Sequence, residues 1–390
     1  MKRILYRTRQ FIFSIFVKMV QNKETKLIRG KESILKIPRM LNSSETDNIL
    51  LVTTPGFIKR ETLLPLFNEL KNNSIKYTIF TGVHPDPSVE DVENGVLAYL
   101  ENKCKAIVAI GGGSVLDCAK VIGARVSNPK TCVRKMRGML KVKKKIPTYI
   151  PVPATCGTGS EVTAAAVISD SINGKHYKYA VTDLKLIPNI AVLDPNLLKT
   201  LPNNMLVTTS MDALTHSLEA YLNLFASKEV TKDSLESIKL IFENIDSAVA
   251  NKDDLSLDNL LYASTLAGIA ITHNFVGYVH ALAHAIGAMY GLAHGYLNSI
   301  ILPVVLKAYE SKIEKKMKIL CEYMNIESTN SYTDAIINLI NKIKDNNNLP
   351  YVINELREED FDEIVLRANK EANPTYPVPK ILNKKGLKQF

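Results

Sequence analysis

The chain has 390 residues, of which 46% are hydrophobic and 23% charged, with a formal net charge of +10. One hydrophobic core stops growing well short of this length, so two domains are expected, and the composition excludes a disordered or fibrous chain. Five cysteines, Cys104, Cys118, Cys132, Cys156 and Cys321, form no C-x-x-C pair, which excludes a disulfide framework or a thiolate zinc site and fits a reducing, cytoplasmic setting.

Residues 1–25 read as an N-terminal extension. They begin basic and carry a short apolar patch interrupted by Ser14, without the small-residue cleavage site of a signal peptide. A mobile or amphipathic segment is expected there, with Met19 as an alternative start.

From residue 26 the chain alternates β-rich runs with helical ones. ILLVTT (49–54) predicts a buried strand, ETLLPLFNELKNN a helix and KYTIFTGV (76–83) the next strand. PSVEDVENGVLAYLEN is a helix opening on Pro87 and Ser88, KAIVAIGGGS a strand running into a glycine loop, and VLDCAKVIGARV the helix after it. TYIPVPAT and NIAVLD add two strands, so residues 26–203 read as an α/β domain with a doubly wound, Rossmann-like parallel sheet. Beyond the turn at residues 201–204 helical periodicity takes over, in DALTHSLEAYLNLF, EVTKDSLESIKLIFENIDSAVA, LDNLLYASTLAGIAI and YTDAIINLINKIKD, and 204–390 reads as an all-helical domain. No stretch approaches the roughly 20 apolar residues of a membrane span, so no membrane role is expected. The basic run KMRGMLKVKKK (135–145) has no interleaved aromatics for base stacking, and it reads as a solvated loop with no nucleic-acid partner.

Chemistry concentrates in four motifs. Gly111, Gly112, Gly113 and Ser114 follow a strand and open a helix, where free backbone amides and the helix dipole favour an anion, although the spacing is not G-x-G-x-x-G. PATCGTGSEVT (153–163) follows another strand and is crowded with hydroxyls suited to phosphate, ribose or carboxamide contacts. Two such loops after strands of one sheet imply a ligand across their carboxyl ends. Further on, Asp212 and His216 stand four apart, as do His280 and His284, with His294 close behind, so four of the chain's seven histidines, and an aspartate, fall in two clusters with helical ligand spacing. Spacing alone leaves all five open as ligands of a divalent metal.

GGGSVLDCAK, PATCGTGSEVT, DALTHSLEAY and HALAHAIGAMYGLAHG, in this order and at these separations, resemble the iron-dependent (group III) alcohol dehydrogenase family, and the likeness runs from about Lys26 through NPTYPVPKIL to the end. That resemblance implies a dinucleotide-binding α/β domain, a helical metal domain and an active site in the cleft between them. Motif by motif it implies Asp212, His216, His280 and His294 as ligands of ferrous iron, zinc or another divalent ion, with His284 lining the substrate pocket and relaying protons. Gly111, Gly112, Gly113, Ser114 and Asp117 would line the cofactor and active-site cleft, with Thr155, Thr158, Thr163 and Lys178 as further cofactor contacts. The implied reaction is hydride transfer between a nicotinamide and a metal-polarised aldehyde, in a homodimer. Dehydroquinate synthase shares the architecture as a lyase-type alternative but lacks the GTGSE and DALTH wording.

Family members that use NAD commonly carry a carboxylate after the first strand. Thr54 takes that position here, followed by Lys59 and Arg60, so NADPH is expected over NADH. The TTPGF-x-KR segment also resembles a subgroup that reduces phosphonoacetaldehyde to 2-hydroxyethylphosphonate; a butanol-type aliphatic substrate is the alternative. Ala154 and Cys156 depart from the family's usual threonine and alanine, and Cys156 reads as a small buried filler.

Overall fold

The computed structural model describes all residues except 1, 20–23, 45, 173–174, 310, 328–329 and 389–390. It divides into two compact units, Lys23–Leu201 and Pro202–Phe390, the latter joined by residues 1–22.

The α/β unit contains β1 (Lys26–Arg29), α2 (Ile37–Asn42), β2 (Asn48–Thr53), α3 (Pro55–Lys59), α4 (Leu64–Asn72), β3 (Lys76–Phe80), α5 (Val89–Glu101), β4 (Ala106–Gly111), α6 (Gly113–Ser127), β5 (Gly138–Met139), β6 (Thr148–Pro153), β7 (Ala165–Ile172), β8 (Lys175–Thr182) and β9 (Ile190–Leu193); α1 (Lys2–Met19) belongs to the other unit. The main sheet is parallel with order β3-β2-β4-β6, and β1 pairs in parallel with β9. Continuous burial of Ile49–Val52 and Ala106–Ile110 is what a parallel strand covered on both faces requires. Helix α5 starts as the sequence predicts, because Ser88 caps it in a reciprocal box with Asp91. Four strands lie outside the sequence expectation: β1, and β7 and β8, which form an antiparallel hairpin with β5 beside β8 in a small further sheet.

The helical unit comprises α7 (Asn203–Leu222), α8 (Lys228–Asn251), α9 (Asp254–Asn274), α10 (Tyr278–Tyr290), α11 (His294–Tyr309), α12 (Ser311–Tyr323), α13 (Tyr332–Asn346), α14 (Phe361–Ala372) and α15 (Lys384–Leu387). Contrary to the expectation of no span-like segment, α9 is long and apolar enough to cross a membrane, yet 61% of its apolar window is buried inside the protein, as for a core helix. Helix α1 joins this unit: Arg7 donates to the carbonyls of Val378 and Pro379, and the Gln10 amide to that of Tyr376.

Candidate active site

Helix α7 presents Asp212, His216 and Glu219 at i, i+4 and i+7, one face of an α-helix. Near the start of α10 comes His280, and α11 begins at His294. The first turn of α11 presses against α7, since a Cβ on Gly295 would lie 2.2 Å from the Thr208 carbonyl oxygen; only glycine permits that approach. His294 Nε2 thereby lies 3.4 Å from Asp212 Oδ1, with His280 Nε2 at 3.7 Å and His216 Nε2 at 4.0 Å from the same oxygen. Ligand atoms of Asp212, His280 and His294 all fall within 4.8 Å of one another. His216 and His280 stack with ring centroids 4.4 Å apart.

Electrostatically this pocket calls for positive charge. Burial pushes the Asp212 carboxyl up, but His216, His294 and His280 outweigh it and hold it well below the carboxylate range. Burial pushes the His280 imidazole down, yet Asp212 and Glu219 raise it to about 9. His294 is driven well below its ordinary value, by burial first, and by the neighbouring imidazoles against the pull of Asp212. A divalent cation supplies the charge that these groups otherwise draw from a proton, and one carboxylate with imidazole nitrogens is the donor set that borderline divalent ions accept. Asn298 adds a second sign of fit. Its Nδ2 donates to Asp212 Oδ1 at 2.7 Å and lies 3.2 Å from His294 Nε2, while its buried Oδ1 has no partner.

Glu219 was absent from the sequence reading, although its i+7 spacing from Asp212 was visible. Its carboxylate accepts from the Gly277 and Val279 amides, both at 2.7 Å, and from His280 Nδ1 at 2.6 Å. It therefore caps α10 and fixes one tautomer, protonated at Nδ1, that leaves Nε2 as a donor atom. His284 stands apart from this arrangement. Its ring stacks on His294 at 5.0 Å, and its Nδ1 donates to Glu371 Oε1 at 2.8 Å; Glu371 also accepts from the Tyr376 hydroxyl at 2.9 Å.

In the α/β unit the two loops lie against each other. A Cβ on Gly113 would come within 2.6 Å of Thr158 Cγ2, and one on Gly112 within 3.2 Å of Thr155 Cγ2. Gly112 ends the turn as N-cap of α6 and Ser114 lies half-buried in the first turn; the Val115 and Leu116 amides bond to the Gly112 carbonyl, so the Gly113 and Ser114 amides are the ones that the helix's own bonds leave over. Asp117 Oδ1 accepts from Ser160 Oγ at 2.6 Å and Oδ2 from the Val167 amide at 2.8 Å. Thr163 is buried, and its hydroxyl and carbonyl oxygens, with the Ala165 carbonyl, each accept from Lys120 Nζ at 2.9 Å. Lys120, also missed, straps the far end of the hydroxyl loop to α6. Cys156 is fully buried.

Thr54 is half-buried at the N-cap of α3, where β2 ends. Lys59 and Arg60 are exposed at the end of this short helix, with the Arg60 guanidinium 5.5 Å over the Phe57 ring. Lys178, on β8, pairs with Asp86 at 2.7 Å.

Residues 24–195 match the family model of iron-containing alcohol dehydrogenase, and residues 206–390 match the C-terminal model of the same family. The NADPH-dependent butanol dehydrogenase of Clostridium saccharobutylicum is 32% identical over 373 residues, covering 93% of this chain and 94% of that one. The aldehyde-alcohol dehydrogenase of Streptococcus pneumoniae is 37% identical over 275 residues; the match takes in 67% of this chain and only 31% of that relative's length. Among solved structures, a 1,3-propanediol oxidoreductase superposes with a TM-score of 0.88 at 27% identity, over 93% of this chain and 96% of that one. With both halves matched and relatives above 30% identity along nearly all of its length, this chain belongs to the iron-containing alcohol dehydrogenase family.

Proposed function

We propose that the protein is a metal-dependent, NADPH-preferring alcohol dehydrogenase that works mainly as a reductase of small aliphatic aldehydes, as a cytoplasmic homodimer. The observation that carries the reading is the approach of three imidazole Nε2 atoms, from three helices, to one buried carboxylate oxygen at 3.4 to 4.0 Å. Asp212, His216, His280 and His294 would hold the ion. When bound, it supplies a Lewis acid that polarises the aldehyde oxygen.

The remaining work belongs to the chain. Glu219 keeps the His280 proton on Nδ1, so Nε2 stays a donor. The amides at Gly112–Ser114 take the pyrophosphate, with Thr155 and Thr158 beside them on the packed hydroxyl loop. A bound nicotinamide would supply the hydride for the carbonyl carbon, and His284, held through Nδ1 by Glu371, would deliver the proton that the product oxygen needs.

NADPH over NADH is supported by Thr54 in place of a carboxylate, by the exposed Lys59 and Arg60, and by the cofactor named for the Clostridium saccharobutylicum relative. For phosphonoacetaldehyde the support is the TTPGF-x-KR wording alone, and a neutral aldehyde has the butanol dehydrogenase as precedent. The test is butanal-dependent NADPH oxidation by chelator-stripped protein: activity should be absent, return with ferrous or zinc ion, and exceed that with NADH in kcat/KM. Turnover that persists without metal would overturn the reading, and a preference for NADH would overturn the cofactor assignment.

A further inference from the structure

Three carboxylates surround the candidate metal centre, and they differ in what they face. Asp212 and Glu219 side chains are each only 5% exposed and are consumed by the imidazoles and by the first turn of α10. Glu371 is 32% exposed, and the His284 ring it holds is 46% exposed. That ring stacks on His294, whose Nε2 is 3.4 Å from Asp212 Oδ1, so the Glu371 carboxylate is separated from the metal-binding atoms by little more than the His284 and His294 rings. Partial burial pushes its carboxyl up, but His284 and the Tyr376 hydroxyl outweigh that and hold it below the usual range. Among the described residues no lysine or arginine pairs with Glu371. Asp212 and Glu219 together match the charge of a divalent ion, and Glu371 is a third carboxylate on the more exposed side of the centre, paired with the His284 imidazole and the Tyr376 hydroxyl.

We propose that Glu371 determines substrate class: it admits aldehydes and alcohols whose remaining carbon chain is uncharged and rejects those that carry a phosphonate, sulfonate or carboxylate near the reacting carbon. This rests on the metal-dependent dehydrogenase reading above and narrows it. The physical reason is direct. On this proposal a small substrate bound through its oxygen at the metal runs its chain past the half-exposed His284 ring, where an anionic group one or two carbons away meets the Glu371 carboxylate. Two like unit charges about 8 Å apart at an effective dielectric near 20 cost roughly thirtyfold in affinity. Tyr376 strengthens the effect by donating to Glu371 without neutralising it.

The test compares wild type, Glu371→Gln and Glu371→Asp, loaded with ferrous ion, on butanal and phosphonoacetaldehyde with NADPH. Wild type should prefer butanal. Glu371→Gln should raise the ratio of kcat/KM for phosphonoacetaldehyde over butanal about thirtyfold, and Glu371→Asp should keep the wild-type ratio. A merely structural residue would move both substrates together and leave the ratio fixed. Calorimetric binding of 2-hydroxyethylphosphonate against 1-butanol to the metal-loaded proteins gives the same comparison without turnover. The wild-type binding ratio alone decides if Glu371→Gln does not fold. A ratio unaltered in Glu371→Gln, or a wild type that favours the phosphonate, overturns the proposal. Loss of turnover on both aldehydes with the binding difference intact would instead count against the dehydrogenase reading and leave the charge selection standing.

Discussion

Charge builds the candidate metal centre of the helical unit, whereas fit builds the cofactor loops of the α/β unit. In the first, Asp212, His216, His280 and His294 converge from α7, α10 and α11, and a further buried carboxylate, Glu219, orients one of them. In the second, Gly112 and Gly113 take the nearest atoms of Thr155 and Thr158 into space that a Cβ would fill, and Lys120 ties down the far end. Loss of a charge in the first should remove a ligand. An added methyl in the second should distort the packed loop surface proposed to receive the cofactor. The two kinds of damage are separable by whether metal or nucleotide affinity falls.

The largest effect belongs to Asp212→Ala, which takes away the one oxygen that all three Nε2 atoms approach. Metal content should fall below stoichiometry by atomic absorption, and kcat/KM should drop on the order of a thousandfold or more, while NADPH binding persists. Nucleotide affinity lost together with the metal would break the separation between the units. Glu219→Gln should act on the same centre less severely. It keeps the shape but weakens the contacts to the α10 amides and the hold on His280 Nδ1, so metal affinity should weaken by about ten- to a hundredfold. Metal competition against a chelator reads this directly, and an unchanged dissociation constant would remove Glu219 from the centre. On the other side, Gly113→Ala should weaken NADPH about tenfold with metal content intact, because Thr158 must shift to clear the new Cβ. Thr158→Ser in the same chain removes the nearest atom and should recover part of the loss; no recovery would mean that the contact is not the cause.

Much of this was legible in the sequence, and what was not depends on distant partners. The central parallel strands β2, β4 and β6 announced themselves as continuous apolar runs, because burial on both faces leaves no polar alternation. The β7–β8 hairpin did not. On β7 the inward positions are Ala166, Ile168 and Asp170, and the buried aspartate breaks the pattern because its partner, Arg134, lies 36 residues away and binds it at 2.8 and 3.0 Å. The candidate ligand histidines stood out through local spacing, yet spacing could not separate His284 from the rest. Glu371, which takes its Nδ1, is 87 residues further on. Glu219 had the right helical spacing, but what it does is set by the first turn of α10, about 60 residues away.

The smallest expected effect sharpens the contrast from within the α/β unit, where Lys120 is the exception, a charge buried to do a packing job. Burial lowers its pKa from 10.5 to about 8, against the pull of Asp117 and Glu161. Its folded value therefore lies below the unfolded one. Between pH 8 and 10.5 the unfolded chain holds this proton while the folded chain has lost it, so this group makes stability rise with pH there, with a slope of at most about 1.4 kcal/mol per pH unit. Below pH 8 both states carry the proton and the full cost of burying the charge remains. Buried tyrosines such as Tyr149, whose pKa lies well above 10 because of burial, pull the other way at the top of that range, so the measurement is a difference. Urea midpoints for wild type and Lys120→Met at pH 7.5, 8.5 and 9.5 should show the variant less stable throughout, since three oxygens lose their donor, and without the upward slope. Parallel slopes would mean that Lys120 sits in the fold with an ordinary pKa, and that the hydroxyl loop is held by hydrogen bonds at no electrostatic cost.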